Sequence, residues 1–282
     1  MGRQVIAVAH RGARLEAPEN TLASFSRAIA AGADWLELDV HMTSDGRFVV
    51  IHDDKLERTT GAQGRASEMT LDAIRRLDAG AWFGPQFEGE RIPTLEEVVA
   101  LASGRVGLLV EVKEPGNRGG DIARALPAAL ERFRGEAWVG SFDANFLWFY
   151  KRNHGEHPTV LITRKPGALR QAREAKADGL SVSVRSPAAV LLPRIKREGM
   201  RSFVWTVASM RALSLALHWN VDGVVTDCPR EVRSVLDGVS RAQAEEFGDE
   251  APEGKAYLVW RRRILRKTKP WPRVKAPRGV RG

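Results

Sequence analysis

The stretch Trp35-Leu36-Glu37-Leu38-Asp39-Val40-His41 alternates apolar and polar residues with the period of a β-strand. Leu36, Leu38 and Val40 therefore share one face, and Glu37, Asp39 and His41 share the other. Leu109-Val110-Glu111-Val112-Lys113 repeats the pattern, with Val110 and Val112 on one side and Glu111 and Lys113 on the other. Charged groups on an inward face are costly to bury alone. A structural ion pair such as Glu37 with Lys113 is one solution, but three carboxylates against one lysine leave negative charge uncompensated. A divalent cation resolves that imbalance. Three carboxylates without cysteine are a hard oxygen donor set, which suits Mg²⁺ or Ca²⁺ better than zinc or copper.

Two histidines bring proton-transfer chemistry to the same ends of the chain's apolar runs. His10 is followed by Arg11-Gly12, and His52 by Asp53-Asp54. Imidazole takes or gives a proton near neutral pH, so a pair beside an acidic metal cluster reads as a general acid and base. Arg11 and Lys113 add two cations, the complement of a phosphate ester whose charge must be neutralised as it is attacked. The expected reaction is hydrolysis of phosphorus–oxygen bonds. Glycoside hydrolysis by the pair Glu37 and Glu111 is the competing chemistry, and it leaves both histidines and Lys113 without roles. His41 is expected beside Asp39, whereas His154, His157 and His218 are expected to be solvated.

The elements that must carry these residues follow from periodicity. Short β-branched runs at 5–9, 35–41, 47–52, 106–113, 138–142, 159–163, 180–184, 202–207 and 223–226 read as nine strands. Helical stretches are expected at 21–31, 94–102, 122–134, 168–176, 188–198, 210–219 and 230–236, with Gly32, Gly104, Gly135, Gly179 and Gly199 at helix C-termini. Thr43-Ser44-Asp45-Gly46 is too short for a crossover, and Asp-Gly is a hairpin signal, so 47–52 must fold back antiparallel. Eight β/α units remain, which is the arithmetic of an α/β protein with a (β/α)8 TIM barrel. An open doubly wound sheet is the alternative, but Gly12-Ala13-Arg14 does not supply its glycine-rich phosphate turn. Residues 53–90 then form a loop insertion over the barrel mouth, after the hairpin that follows the second strand.

Composition bounds the setting. The chain has 282 residues and a net charge of +9, but residues 255–282 hold eleven Lys or Arg and no Asp or Glu, so 9 − 11 leaves about −2 for residues 1–254. The reading is a barrel domain at 1–240 followed by a charged linker and basic, flexible C-terminal tail at 241–282. No apolar run approaches the length of a membrane span, and the single Cys228 excludes disulfide scaffolds and thiolate metal cages. The opening residues do not read as a secretory leader, and a cytoplasmic protein is expected.

In their order, the polar residues resemble the glycerophosphodiester phosphodiesterase family. The resemblance rests on His10-Arg11-Gly12, Pro18-Glu19-Asn20-Thr21 followed by Phe25, Glu37-Leu38-Asp39-Val40, Thr43-Ser44-Asp45-Gly46, Val50-Ile51-His52-Asp53, Arg58-Thr59-Thr60-Gly61, Ile92-Pro93-Thr94-Leu95, Glu111-Val112-Lys113, Trp205-Thr206-Val207 and Thr226-Asp227. It implies a metal-dependent barrel enzyme that cleaves deacylated phospholipids to sn-glycerol 3-phosphate and an alcohol. By position it implies Glu37, Asp39 and Glu111 as metal ligands and His10 and His52 as general acid and base. Arg11 and Lys113 would be the phosphate holders, and Trp205 would line the substrate pocket. Glu19 is expected either to reach the site or to serve the first turn of a helix capped by Asn20. Ala208 departs from the family, whose members often carry Asn there. The short insertion is similar to that of compact cytoplasmic members. A lysophospholipase D acting on acylated lipids and a noncatalytic barrel binding protein are the remaining alternatives. The basic tail lies outside the resemblance. It reads as a solubilising extension or as a dock for an anionic membrane surface through Trp260 and Trp271, with nucleic acid the lesser candidate.

Overall fold

In a computed structural model, which describes residues 5–113 and 115–247, the nine expected strands are present. They are β1 (Ile6–His10), β2 (Trp35–Met42), β3 (Phe48–Val50), β4 (Gly107–Val112), β5 (Ala137–Ser141), β6 (Thr159–Thr163), β7 (Gly179–Ser183), β8 (Arg201–Trp205) and β9 (Gly223–Thr226). Their order is β1-β9-β8-β7-β6-β5-β4-β2-β3, and pairing of β1 with β2 closes eight parallel strands into a (β/α)8 barrel. β3 is the antiparallel excursion, with Val40 opposite Val50 and Met42 opposite Phe48. Its turn is fixed by Thr43, whose backbone N–H donates to the Arg47 carbonyl at 2.8 Å while its hydroxyl accepts from the Arg47 N–H at 2.9 Å. The basic tail at 255–282 lies outside the described residues. Among those described, no helix is long and apolar enough to cross a membrane.

Helices at Leu22–Ala30, Leu95–Ala102, Gly119–Leu130, Ala168–Glu174 and Met210–His218 fall where the periodicity puts them. Their apolar faces pack on the outward residues of the strands, Leu36, Leu38 and Val40 of β2 and Leu108, Val110 and Val112 of β4 among them. Three stretches differ from expectation. Ala144–His154, which the pattern does not single out, is a helix capped by Asp143. The crossover after β7 breaks into Pro187–Leu191, Leu192–Ile195 and Lys196–Glu198; Pro193, inside the expected helix, lacks the N–H a continuous helix would use there. The last helix runs from Pro229 to Phe247, through position 240.

The lower half of the barrel is filled by an aromatic cluster. Trp35, Trp138 and Phe203 meet with ring centroids 5.7 to 6.1 Å apart. Glycines on adjacent or nearby strands make room for them. A Cβ at Gly107 would lie 2.5 Å from the Trp35 indole, one at Gly179 would lie 2.9 Å from Trp138, and one at Gly223 would lie 2.6 Å from Phe203. Gly179 is therefore a packing residue that opens β7, not a helix terminus, and Lys176 (φ 53°) takes the left-handed position before it.

The insertion after β3 has a small core of its own, built from Val49, Ile51, Leu56, Ala66, Ile74, Ala79 and Ile92. It is tied to the barrel by Glu97, which completes a capping box with Thr94 and is gripped bidentately by Arg75 at 2.7 and 2.9 Å.

Candidate active site

Both charged strands present the faces that alternation predicts. On β2, Trp35 joins the barrel interior while Glu37 and Asp39 stand above it; on β4, Leu109 is interior, with Glu111 and then Lys113 above. One oxygen from each of Glu37, Asp39 and Glu111 lies within 4.8 Å of the others, and all three residues are buried. A single pocket at the C-terminal ends of the strands is lined by His10, Arg11, Glu37, His52, Glu111, Lys113 and Trp205, together with Phe142, Ile162, Arg164 and Ser181. Asp39 lies beneath it, paired with Lys113 at 2.9 Å and with Arg11 at 3.2 Å. Counter-charge to the carboxylates is thus supplied by two cations, Arg11 as well as the expected Lys113, which also contacts Glu111.

The β1 turn is built for closeness. Gly12 has φ 82°, and a Cβ there would lie 2.3 Å from the Ser24 hydroxyl, so the turn can press against the first turn of helix Leu22–Ala30. Arg11 and Asn20 both take left-handed φ, 56° and 58°. That backbone aims the Arg11 N–H at a Glu37 carboxylate oxygen at 2.9 Å and its side chain at Glu19, also at 2.9 Å. The expectation that Asn20 caps the helix is corrected. Thr21 is the cap, and Asn20 donates its side-chain amide to Asp39 at 2.8 Å. Glu19 is held by Arg11, by Arg58 at 2.7 Å and by Arg14 at 3.5 Å.

Each histidine carries a carboxylate on Nδ1: His10 pairs with Asp227 at 2.7 Å, and His52 with Asp53 at 2.6 Å. In both, Nε2 is left for the pocket. Burial, helped by Arg11, lowers the pKa of His10, and Asp227 opposes that shift. His41 instead turns toward the insertion and bonds the His52 carbonyl at 3.1 Å. His157 is half-buried rather than solvated, 2.9 Å from the Tyr150 hydroxyl.

The electrostatics test the fit of a cation. Burial and the neighbouring carboxylates push the Glu37 pKa well above the carboxylate range, and burial with Asp39 raises that of Glu111. Burial would raise Asp39 too, but Lys113 and Arg11 hold it well below. Burial opposes ionisation of Glu19 as well, yet Arg11, Arg58 and Arg14 bring it to about 2. Two of the three clustered carboxylates are therefore only partly compensated by the chain's own cations. A divalent ion taken by oxygen ligands fits that donor set.

The chain matches the Glycerophosphoryl diester phosphodiesterase family over residues 10–231, which is most of its length. It belongs to that family. Membership makes it an enzyme of the phosphodiester hydrolase class. It is 35% identical over 244 residues to a glycerophosphodiester phosphodiesterase of Caldanaerobacter subterraneus, covering 83% of this chain and 98% of the relative. A glycerophosphodiester phosphodiesterase of Bacillus subtilis is 30% identical over 257 residues, with 83% and 87% covered. Among solved structures, an Oleispira antarctica phosphodiesterase in complex with the product sn-glycerol-3-phosphate aligns with a TM-score of 0.78 at 28% identity, over 83% of this chain and 97% of that one.

Four residues of this phosphodiesterase have site contacts that the sequence does not reveal. Asp227 stands just past the end of β9, where the strand-end rule could have found it. Asn20 reads as a cap in sequence, and the left-handed backbone that redirects it to Asp39 has no local signature. Arg14 and Arg58 come from a turn and from the insertion, and only the folded chain brings them to Glu19 and Asp227.

Proposed function

We propose that this protein hydrolyses glycerophosphodiesters to sn-glycerol 3-phosphate and an alcohol, with a divalent cation, Mg²⁺ or Ca²⁺, held by Glu37, Asp39 and Glu111. The observation that carries the reading is the convergence of that carboxylate cluster, two carboxylate-paired histidines, Arg11 and Lys113 on one pocket. The product named in the Oleispira antarctica complex supports the same choice of substrate. When bound, the cation supplies Lewis acidity to a phosphoryl oxygen.

The remaining steps belong to the chain. Arg11 and Lys113 bind the phosphate and offset charge as it develops on the equatorial oxygens. His10 is biased to the neutral form, and a proton on Nδ1 facing Asp227 leaves Nε2 as the lone pair, so His10 accepts the proton of the nucleophile. His52, oriented by Asp53, gives a proton to the departing alkoxide. Trp205 forms one wall of the substrate pocket. The nucleophile is water or the glycerol 2-hydroxyl, and a cyclic phosphate trapped by rapid quench would select the second.

The test is release of glycerol 3-phosphate from choline, ethanolamine, glycerol and inositol glycerophosphodiesters after EDTA treatment and on return of Mg²⁺ or Ca²⁺. Metal-dependent release is expected; no release with either ion contradicts the proposal.

A further inference from the structure

We infer that the pocket discriminates against cationic alcohols and that Arg164 is the residue that sets this preference; the inference rests on the hydrolase reading above and names its substrate class. Three aromatic side chains stand at the mouth, Phe142 after β5, Trp148 on helix Ala144–His154 and Trp205 at the end of β8. Phe142 is 46% exposed and Trp148 41%, unusual values for such large apolar groups. A bare aromatic face at a headgroup site is what a quaternary ammonium such as choline would be drawn to. Here the chain has placed its own cations there. The Arg164 guanidinium carbon lies 4.8 Å from the Trp205 ring centroid and 5.8 Å from that of Phe142, and Arg152 lies 5.4 Å from that of Trp148. Phe142 packs edge-on against Trp205 at 5.8 Å, so Arg164 covers both members of one aromatic corner.

The charge around that corner points the same way. Among the described residues, no carboxylate lies within 4.0 Å of Arg164 or of its neighbour Lys165, so neither is neutralised by an ion pair. Of the carboxylates lining the adjoining groove, Glu57 has no ion pair among the described residues and Glu174 meets only the exposed Arg170 at 3.5 Å, while three others are engaged. Asp53 is taken by His52 and Arg58, Asp54 by Arg65 at 2.8 Å, and Asp143 by two backbone N–H groups of the helix it caps. Arg11, Lys113 and Arg164 stand against Glu37, Glu111 and the underlying Asp39, so the groups are balanced until a divalent ion makes the pocket positive. The phosphodiester offsets one of these charges. A cationic alcohol must then either displace Arg164 from the rings or sit beside it, whereas a neutral polyhydroxyl or anionic alcohol finds an unpaired donor.

The experiment compares two esters that differ only in charge, glycerophosphocholine and its neutral isostere with a 3,3-dimethylbutyl group in place of choline, using the full-length metal-loaded chain. At low ionic strength kcat/KM should favour the neutral ester by about tenfold, the size expected for one like-charge contact at partial solvent screening. Added salt should narrow the gap. In Arg164→Gln the ratio should fall to about one, and Arg164→Lys should retain it. A wild-type preference for the choline ester, or an Arg164→Gln ratio equal to the wild-type one, overturns the inference. Equal loss on both esters overturns it too, because it would assign Arg164 to the part of the substrate they share. Calorimetric binding of the same two esters to the metal-loaded His52→Ala variant reads the preference without turnover. Discrimination in binding with no turnover of either ester by wild type would sink the hydrolase reading while leaving the charge preference standing.

Discussion

Trp35 and Asp39 sit four residues apart on the same inward face of β2, and the barrel treats them in opposite ways. Trp35 is packed against Trp138 and Phe203 in a layer that glycines on neighbouring strands are shaped to admit. Asp39 is surrounded by Glu37, Glu111, Arg11 and Lys113, and it stays ionised against the cost of burial because the two cations hold its pKa down. The same contrast recurs on β4, from Gly107 to Glu111, and on β8, from Phe203 to Trp205. Each strand therefore carries a stability half and a chemistry half. The lower layer gains from every buried apolar contact, while the upper layer concentrates charges whose burial costs stability and whose arrangement makes sense only for a ligand.

Substitutions should separate the two halves, and the largest effect is expected at the top. His52→Ala should lower kcat by roughly 10²–10⁴-fold, the range for loss of a general acid or base. Its unfolding midpoint should stay near that of wild type, and near-normal turnover would remove His52 from the mechanism. The mirror-image change is Phe203→Ala, which should cost about 3–5 kcal/mol in denaturant unfolding as the aromatic layer loses a ring. The surviving folded protein should keep its kcat, and a loss of kcat per folded molecule would mean that the layers are coupled.

A smaller effect joins charge to stability. Glu19 has a folded pKa of about 2 against an ordinary value of 4.5. A depressed acid contributes stability that is present above 4.5 and is lost as pH falls toward 2, about 3 kcal/mol in all. Glu19→Gln should flatten that part of the pH–stability curve, and an unchanged slope would contradict the network of Arg11, Arg14 and Arg58. The smallest expected effect is the shift in pH profile governed by Asp227, which raises the pKa of His10 against burial. Asp227→Asn should move the acid limb of kcat/KM to lower pH, and a shift to higher pH would reverse the assigned role.

The halves were not equally legible in the sequence. Leu36, Leu38 and Val40 alternating with Glu37, Asp39 and His41 define a strand and its inward charges together, because period-2 patterning is local. Asp45-Gly46 similarly exposes the hairpin, and removing β3 leaves the eight units of the barrel. Glycine roles are not local. Gly32 and Gly179 look alike in sequence, yet one ends a helix at φ 80° and the other admits Trp138 from two strands away. The partners that hold the site together, Arg14, Arg58 and Asn20, come from turns without periodicity and are selected by closure of β1 on β2 and by docking of the insertion.

Whether the charged upper half of the barrel holds a divalent cation is decided by calorimetric titration of Mg²⁺ and Ca²⁺ into metal-stripped full-length protein and its Asp39→Asn variant. One ion bound per wild-type chain, with that binding lost in a variant that still unfolds cooperatively, is the predicted result. Equal binding by both proteins, or no saturable binding by wild type, would contradict it.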